Sequence, residues 1–431
     1  MGRALPRLGR GRDAGLARAA AAAAVNVDAA TAAEAAARHS YGRLLAWLAW
    51  QWRDVAAAED ALAEAFAAAL ERWPRDGVPT SPDAWLLTAA RRKLLMAARH
   101  QRLADDPALA VLWPGEAYAA PVTPALPDTR LRLLFVCAHP AIDTGVHAAL
   151  MLQTVLGLDA ARIASAFLVK PEAMTKRLVR AKAKIRAAGL RFEEPEAREW
   201  PERLASVLEA IYGAYTLHWG QVDDAESGEL AAEAVFLAEL VVSHLPDEPE
   251  ALGLLALLWL CEARRPARRE VFQPLHDQDA RRWNHALLER ANAALLQAAA
   301  HRSAGPYQLE AAIQAAHVQG RLEGAVPWDG IARLYEQLLA LAPTTGARIA
   351  HAVAVAHARD ARAGLALLDA IDRALVASHQ PWWAARAHLL AMAGAQAEAA
   401  AAYGRALALT VEPRLRDWLD SHRQAALAAC G

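Results

Sequence analysis

The sequence predicts an all-α protein, with two small helical units followed by a longer helical extension. Alanine, leucine, glutamate and arginine dominate the 431 residues, and β-branched runs are scarce, which favours helix almost throughout. Apolar residues recur at three- and four-residue spacing in most long segments, the period of one helix face. Clusters of proline separate these periodic stretches. A hydrophobic content of 55% supplies ample core material, and a chain of this length corresponds to roughly two to four domains.

Taken in order, residues 1–30 carry Arg3, Arg7, Arg10, Arg12 and Arg18 before an alanine run. The apolar stretch lacks leucine, so the segment is read as a disordered basic arm, or a start codon placed too early, and not as an export signal. Residues 31–103 read as three or four helices. Tyr41, Leu44, Leu45, Leu48 and Trp52 form an apolar stripe. A helical period then runs from Glu59 to Trp73, where Pro74, Gly77, Pro79 and Pro82 impose a loop. Ala84 to Arg102 is helical again, with Trp85 and Leu86 inward. Residues 104–127 hold Pro107, Pro114, Pro121, Pro124 and Pro127 and read as a linker.

Residues 128–192 form the second unit. Leu158–Phe167 reads as a short helix, Leu168–Lys170 as a turn, and Pro171–Ala188 as a helix opened by proline at its first position. Leu178, Ala181, Ile185 and Ala188 give that helix one apolar face, while Lys176, Arg177, Arg180, Lys182, Lys184 and Arg186 crowd the rest. Two short helices with a tight turn and a basic second helix point to a helix-turn-helix, whose second helix enters the DNA major groove. A basic amphipathic helix is also a common solvated surface, so the charge distribution matters. The whole chain is close to neutral, yet Met1–Pro195 carries 26 basic and 19 acidic residues while the remainder carries 21 and 29. This asymmetry assigns nucleic acid to the front and a different task to the acidic back.

Residues 196–431 read as packed helices. Trp382, Ala385, Leu389, Gly394, Ala399, Tyr403 and Leu407, followed by Pro413, have the spacing of a tetratricopeptide unit. Trp328–Leu341 followed by Ala352–Ile371 is a weaker copy. Stacked helical hairpins offer a concave surface; a closed helical bundle is the alternative.

Several functions are disfavoured. No run of about 18 apolar residues marks a membrane span. The three cysteines, Cys137, Cys261 and Cys430, are widely separated and odd in number, which fits a reducing cytoplasm better than a disulfide framework. The chain lacks a phosphate-binding glycine loop, a nucleophile elbow and a His-Glu-x-x-His pair, so no enzyme, cofactor or metal is expected. Cys137 and His139 stand one residue apart, but no second cysteine is near them.

In this order the segments resemble the sigma-70 family, and within it the extracytoplasmic-function sigma factors with a C-terminal helical-repeat extension. Ala58–Phe66 through Trp73 is similar to the region 2 helix that docks on the β′ clamp of RNA polymerase. Ala84–Arg92 is similar to the helix facing the −10 element. Leu133–Pro140 through Arg177–Lys182 is similar to region 4. Asp277-Gln278-Asp279 with Trp283, and Gly305–Ile313, resemble the extension. The chain departs from the pattern at Ala63, at Met96, Ala97 and Ala98, and at Ala350 and His351.

The resemblance implies core RNA polymerase and promoter DNA as partners, with a small protein as a further partner of the repeats and the extension needed for activity. Asp54, Glu59, Asp60, Glu64 and Phe66 are the candidate polymerase contacts, the acids facing basic clamp helices. Trp73, Arg91, Arg92, Lys93, Arg99 and Arg102 are the candidates on the −10 side, Trp73 as a stacking surface and Trp85 as core. On the −35 side, Lys170, Pro171, Glu172, Thr175 and Lys176 would meet base edges. Arg177, Arg180 and Lys184 would meet phosphates, which position without specifying. A stand-alone helix-turn-helix regulator and a repeat-type protein scaffold are the competing readings.

Overall fold

The computed structural model describes residues 30–37, 40–105, 129–167, 169–187, 197–217, 225–268 and 272–429, and every regular element among them is a helix. The chain divides into two compact units, Met1–Gly213 and Ala214–Gly431. The expected basic arm, save its last residue, lies outside the described residues, as do residues 106–127 of the expected linker and Ala188.

The front unit opens with α1 (40–52), α2 (Val55–Asp76) and α3 (Pro82–Asp105). Leu44, Leu45 and Leu48 of α1 are fully buried with Leu62 of α2 and Leu86 and Ala90 of α3. Asp54 caps α2 by accepting from the Ala57 amide at 2.9 Å, satisfying an otherwise orphaned donor. Asp83, in the first turn of α3, accepts from Ser40 at 2.8 Å and Arg43 at 2.6 Å and so ties α3 to α1. The expected loop at Pro74 begins later. The helix continues through Pro74 to Asp76, and the Gly77 amide closes it by donating a hydrogen bond to the Trp73 carbonyl. Proline interrupts a helix by removing one N–H; here the loss falls in the last turn, where Gly77 supplies the closing bond.

Next come α4 (Arg130–Cys137), α5 (Thr144–Thr154), α6 (Ala160–Ala166), α7 (Pro171–Ala187) and α8 (Trp200–Thr216), the division between the units falling inside α8. Asp143 caps α5 and Asp159 caps α6. Alpha-helix α8 is part of the front core, a role its sequence position did not signal. Trp200 packs on Phe135 at 4.8 Å between ring centroids, and Arg203 donates to the Phe135 carbonyl at 3.2 Å.

His147, buried in α5, uses both ring nitrogens. Its Nε2 lies 3.1 Å from the Ile142 carbonyl and its Nδ1 3.1 Å from the Ser206 hydroxyl. That arrangement suits a neutral ring donating from Nε2 and accepting at Nδ1. Burial is the chief cause that holds its pKa below the ordinary value, opposed by the hydrogen bond to Ile142. The neutral ring therefore adds stability that is complete above about pH 6.5 and is lost as pH falls, by at most about 1.4 kcal/mol per pH unit. Thermal unfolding followed by circular dichroism should show a lower midpoint at pH 5 than at pH 7. The drop should shrink in His147→Gln; an equal drop would remove His147 as its source.

The second unit contains α9 (Ala225–His244), α10 (Pro249–Ala263), the short α11 (Arg265–Arg268), α12 (His285–Ala300), α13 (Pro306–Glu323), α14 (Trp328–Leu341), α15 (Thr345–Ala358), α16 (Ala361–Asp369), the short α17 (Arg373–Val376), α18 (Gln380–Met392), α19 (Gln396–Ala408) and α20 (Pro413–Ala428). Residues 251–261 of α10 are all buried, as expected of a helix apolar on every side. The Gly305–Ile313 stretch is its joint with α13. The Glu250 carboxylate accepts from the Tyr307 and Gln308 amides, each at 3.1 Å, and from the Gln308 side chain at 3.2 Å. Gly253 makes the approach feasible, since a Cβ there would lie 2.7 Å from the Gln308 backbone nitrogen. Gln278 of the Asp277–Asp279 stretch offers its carbonyl to Arg321 of α13 at 3.1 Å. Both stretches thus have architectural work in this unit.

Helices α18 and α19 follow one another across Ala393–Ala395, and Trp382, Leu389, Ala399 and Tyr403 are all buried. Trp382 and Leu389 join one apolar cluster with Ile349 and Leu368, and Ala399 and Tyr403 join another with Leu419. The segment Ala352–Ile371 of the weaker copy spans the end of α15 and all of α16. Asp360 caps a new helix, α16, by accepting from the Ala363 amide at 2.9 Å; a short acidic side chain competes well for such amides at a helix start.

Candidate nucleic-acid and partner interfaces

The apolar side of α2 packs inward through Ala58, Ala61, Leu62, Ala65 and Ala69. That phase leaves Asp60 and Glu64, four residues apart, on an exposed face. Glu64 pairs with Lys93 of α3 at 2.7 Å, both side chains being half exposed. Glu59 points elsewhere, to Lys182 of α7 at 2.5 Å. Asp54 is occupied as the cap, and Phe66 is half-buried against Tyr41 with centroids 6.3 Å apart. The five expected polymerase contacts therefore do not act alike: Asp60 and Glu64 face solvent, whereas Asp54, Glu59 and Phe66 serve the fold.

On α3, Arg92, Lys93 and Arg99 are exposed, and Arg91 lies 5.5 Å over the Trp47 ring. Nothing is described of the Arg102 side chain. Trp73 requires a correction. It is 1% exposed and meets Trp85 edge to face at 5.6 Å. A ring without an open face cannot stack on a base. Trp85, assigned to the core, is only half-buried.

Helix α7 buries Met174, Leu178, Ala181 and Ile185, the last three being the predicted face. Residues 167–170 connect it to α6. Lys170, Pro171, Glu172, Thr175, Lys176, Arg177, Arg180 and Lys184 are all exposed. Thr175 spends its hydroxyl on the Pro171 carbonyl at 2.9 Å, and Arg180 bonds the Lys176 carbonyl at 3.2 Å. Two open cavities flank the basic row. One of about 440 Å³ lies between Asp143 and Gly145 of the α5 start and Arg177, Arg180 and Lys184; the other, of about 420 Å³, adjoins Lys170, Glu172 and Lys176. Sequence reading missed Val179, which is 61% exposed on this face, and Lys182, which turns inward; helical phase alone carried the signal for Val179.

The Cys137–His139 pair belongs to packing. The Cys137 thiol lies 3.3 Å from the Thr154 hydroxyl, and burial pushes its pKa up to about 12. His139 accepts from the Ala141 amide through Nδ1 at 3.0 Å. Among the described residues no group of three or more His, Cys, Asp and Glu is placed to hold a metal ion, and no helix is long and apolar enough to cross a membrane.

Residues 37–103, the stretch that holds α1, α2 and α3, match the model of sigma-70 region 2. This match supports a sigma-70 family member. Sigma-70 region 2 implies interaction with core RNA polymerase, and the family is non-enzymatic. Residues 203–299 match a second model, a family of unknown function designated DUF6596. The chain also belongs to one family with the uncharacterized protein R00370 of Rhizobium meliloti (strain 1021). The two are 36% identical over 369 residues, which span 83% of this chain and 87% of that protein. No solved structure matches the chain.

Proposed function

We propose that this sigma-70 family member is an extracytoplasmic-function sigma factor that directs core RNA polymerase to specific promoters. The region 2 match on α1–α3 carries the reading, since that region joins sigma factors to polymerase. A stand-alone regulator would not need it. On this reading α2 docks on the polymerase through Asp60 and Glu64. Arg92, Lys93 and Arg99 of α3 neutralise phosphate on the −10 side. Helices α6 and α7 act as a helix-turn-helix on the −35 side, where exposed bases and basic cavities supply the electrostatic share of affinity. The second unit, built from tetratricopeptide-like hairpins, regulates the first, by contact or through a small protein partner. The setting is cytoplasmic. Co-purification with core polymerase followed by run-off transcription tests the assignment. A chain that neither retains core enzyme nor starts transcription at any promoter would overturn it.

Within α7, Glu172 and Lys176 set preference and Arg180 sets affinity. Glu172 suits cytosine N4 and Lys176 suits guanine O6 or N7, contacts that discriminate by about 1–3 kcal/mol. Lys176→Ala should relax one promoter position in a competition assay. Arg180→Ala should weaken all sequences alike and lower the salt slope by about one. Uniform weakening by both substitutions would show that α7 is not the reading helix.

A further inference from the structure

Two helices of the second unit bring histidines together at their ring nitrogens. The Nε2 of His357, on α15, lies 3.2 Å from the Nε2 of His388, on α18, and the ring centres are 5.3 Å apart. Trp328, at the start of α14, stacks on His357 with centres 4.2 Å apart and planes 12° from parallel, which holds the plane of that ring. His317 of α13 meets the Trp328 ring edge to face at 5.2 Å. Both paired histidines are half-buried, so packing orients them and solvent still reaches them. They stand 31 residues apart in the chain, and no sequence motif announces them.

That spacing is the bite of a transition metal. Zn–N bonds of about 2.0–2.1 Å at a tetrahedral centre set two ligating imidazole nitrogens about 3.3 Å apart and their ring centres about 5.2 Å apart. The observed 3.2 and 5.3 Å match both distances. As a hydrogen-bonded pair, one Nε2 carries the proton and donates it to the other. Coordination through both Nε2 atoms requires only that this proton move to Nδ1 of its own ring, so the pair stays neutral and no proton is released. Imidazole suits Zn²⁺, Cu²⁺ and Ni²⁺, whereas Mg²⁺ and Ca²⁺ take oxygen donors. One turn to either side of His388 on α18 stand Ala384, Ala385 and Ala391, whose methyl groups leave space beside the ring. Among the described residues no third His, Cys, Asp or Glu joins the pair, so the other positions on a metal fall to water or to a donor from a ligand.

We propose that His357 and His388 form an open two-histidine site for a divalent transition metal of the zinc and copper class, which clamps α15 to α18. The ligands come from separate helices, so a metal bound to the folded chain alone stabilises the contact between them. The site needs neither polymerase nor DNA, and it stands independently of the promoter function proposed above.

The test uses the full chain, untagged and stripped of metal by a chelator, at about pH 7.5, where an ordinary imidazole is neutral. Calorimetric titration should show one Zn²⁺ site per chain and no uptake of Mg²⁺. His357→Gln and His388→Gln should each weaken Zn²⁺ binding by on the order of a hundredfold or more, since losing a ligand exceeds the roughly 10–100-fold cost of losing a group that merely orients one. His422→Gln, on α20, should bind like the unaltered chain. Circular dichroism checks that each variant is folded. A second reading needs no substitution: Cu²⁺ bound to the unaltered chain should show splitting from two imidazole nitrogens by electron paramagnetic resonance. The site would be overturned by a chain that takes up no Zn²⁺, or by a copper spectrum without two nitrogen donors. Uptake undiminished in both the His357 and His388 variants would overturn it as well, and would mark scattered surface histidines only.

Discussion

Asp60→Lys combined with Glu64→Lys is expected to abolish retention of core RNA polymerase. Both side chains sit on the exposed face of α2, one helical turn apart. A close interfacial charge pair is worth about 1.5–7 kcal/mol in favourable cases, and reversal replaces attraction with repulsion. Two reversals should therefore weaken binding by on the order of a hundredfold or more. The fold should survive. Exposed substitutions usually change stability by about 0.5 kcal/mol or less, and the Glu64–Lys93 pair that is lost is half exposed, worth at most about 1 kcal/mol. Pull-down with core enzyme alongside far-ultraviolet circular dichroism separates the effects. Undiminished retention by a folded double variant would remove α2 from the interface.

The second large effect concerns where the front unit ends. Cutting the chain after Phe192 should destabilise the front unit far more than cutting after Thr216. The shorter piece loses the Trp200 ring from Phe135, the Arg203 bond to the Phe135 carbonyl and the Ser206 partner of buried His147. Uncovering one large aromatic costs about 1.5–3 kcal/mol, the ring pair a further 0.5–1.5 or so, and the orphaned polar groups roughly 1–3. Against a total stability of about 5–15 kcal/mol, a loss near 4 lowers the melting temperature by about 10 °C for a unit of this size. Thermal melts of the two fragments test this, and equal midpoints would show that α8 is dispensable. The cut after Thr216 is also the right one for asking what the second unit does to transcription. If that fragment, equally abundant and folded, transcribed like the full chain with and without cell extract, the proposed regulation would fail.

Much of the fold was legible in local pattern. The buried face of α7, Met174 included, follows from three- and four-residue spacing, and its start from Pro171. Caps such as Asp54 and Asp360 act on amides two or three residues away. What failed locally was punctuation: Pro74 stands inside the last turn of α2, which ends only at Gly77.

The sequence by itself determined that this protein is helical, that its basic and acidic halves differ, and which face of each long helix is apolar. These depend on backbone hydrogen bonds and on periods of a few residues, so a short window contains the information. Tertiary structure decided the rest. Trp73 is core because Trp85, across the loop, closes over it. Glu59 is an internal partner and not an open docking acid because Lys182, more than a hundred positions away in the chain, arrives beside it. Alpha-helix α8 belongs partly to the front unit because Phe135 needs a ring to cover it. In each case the environment of a side chain is set by a residue distant in sequence, and no local period encodes which distant residue that will be.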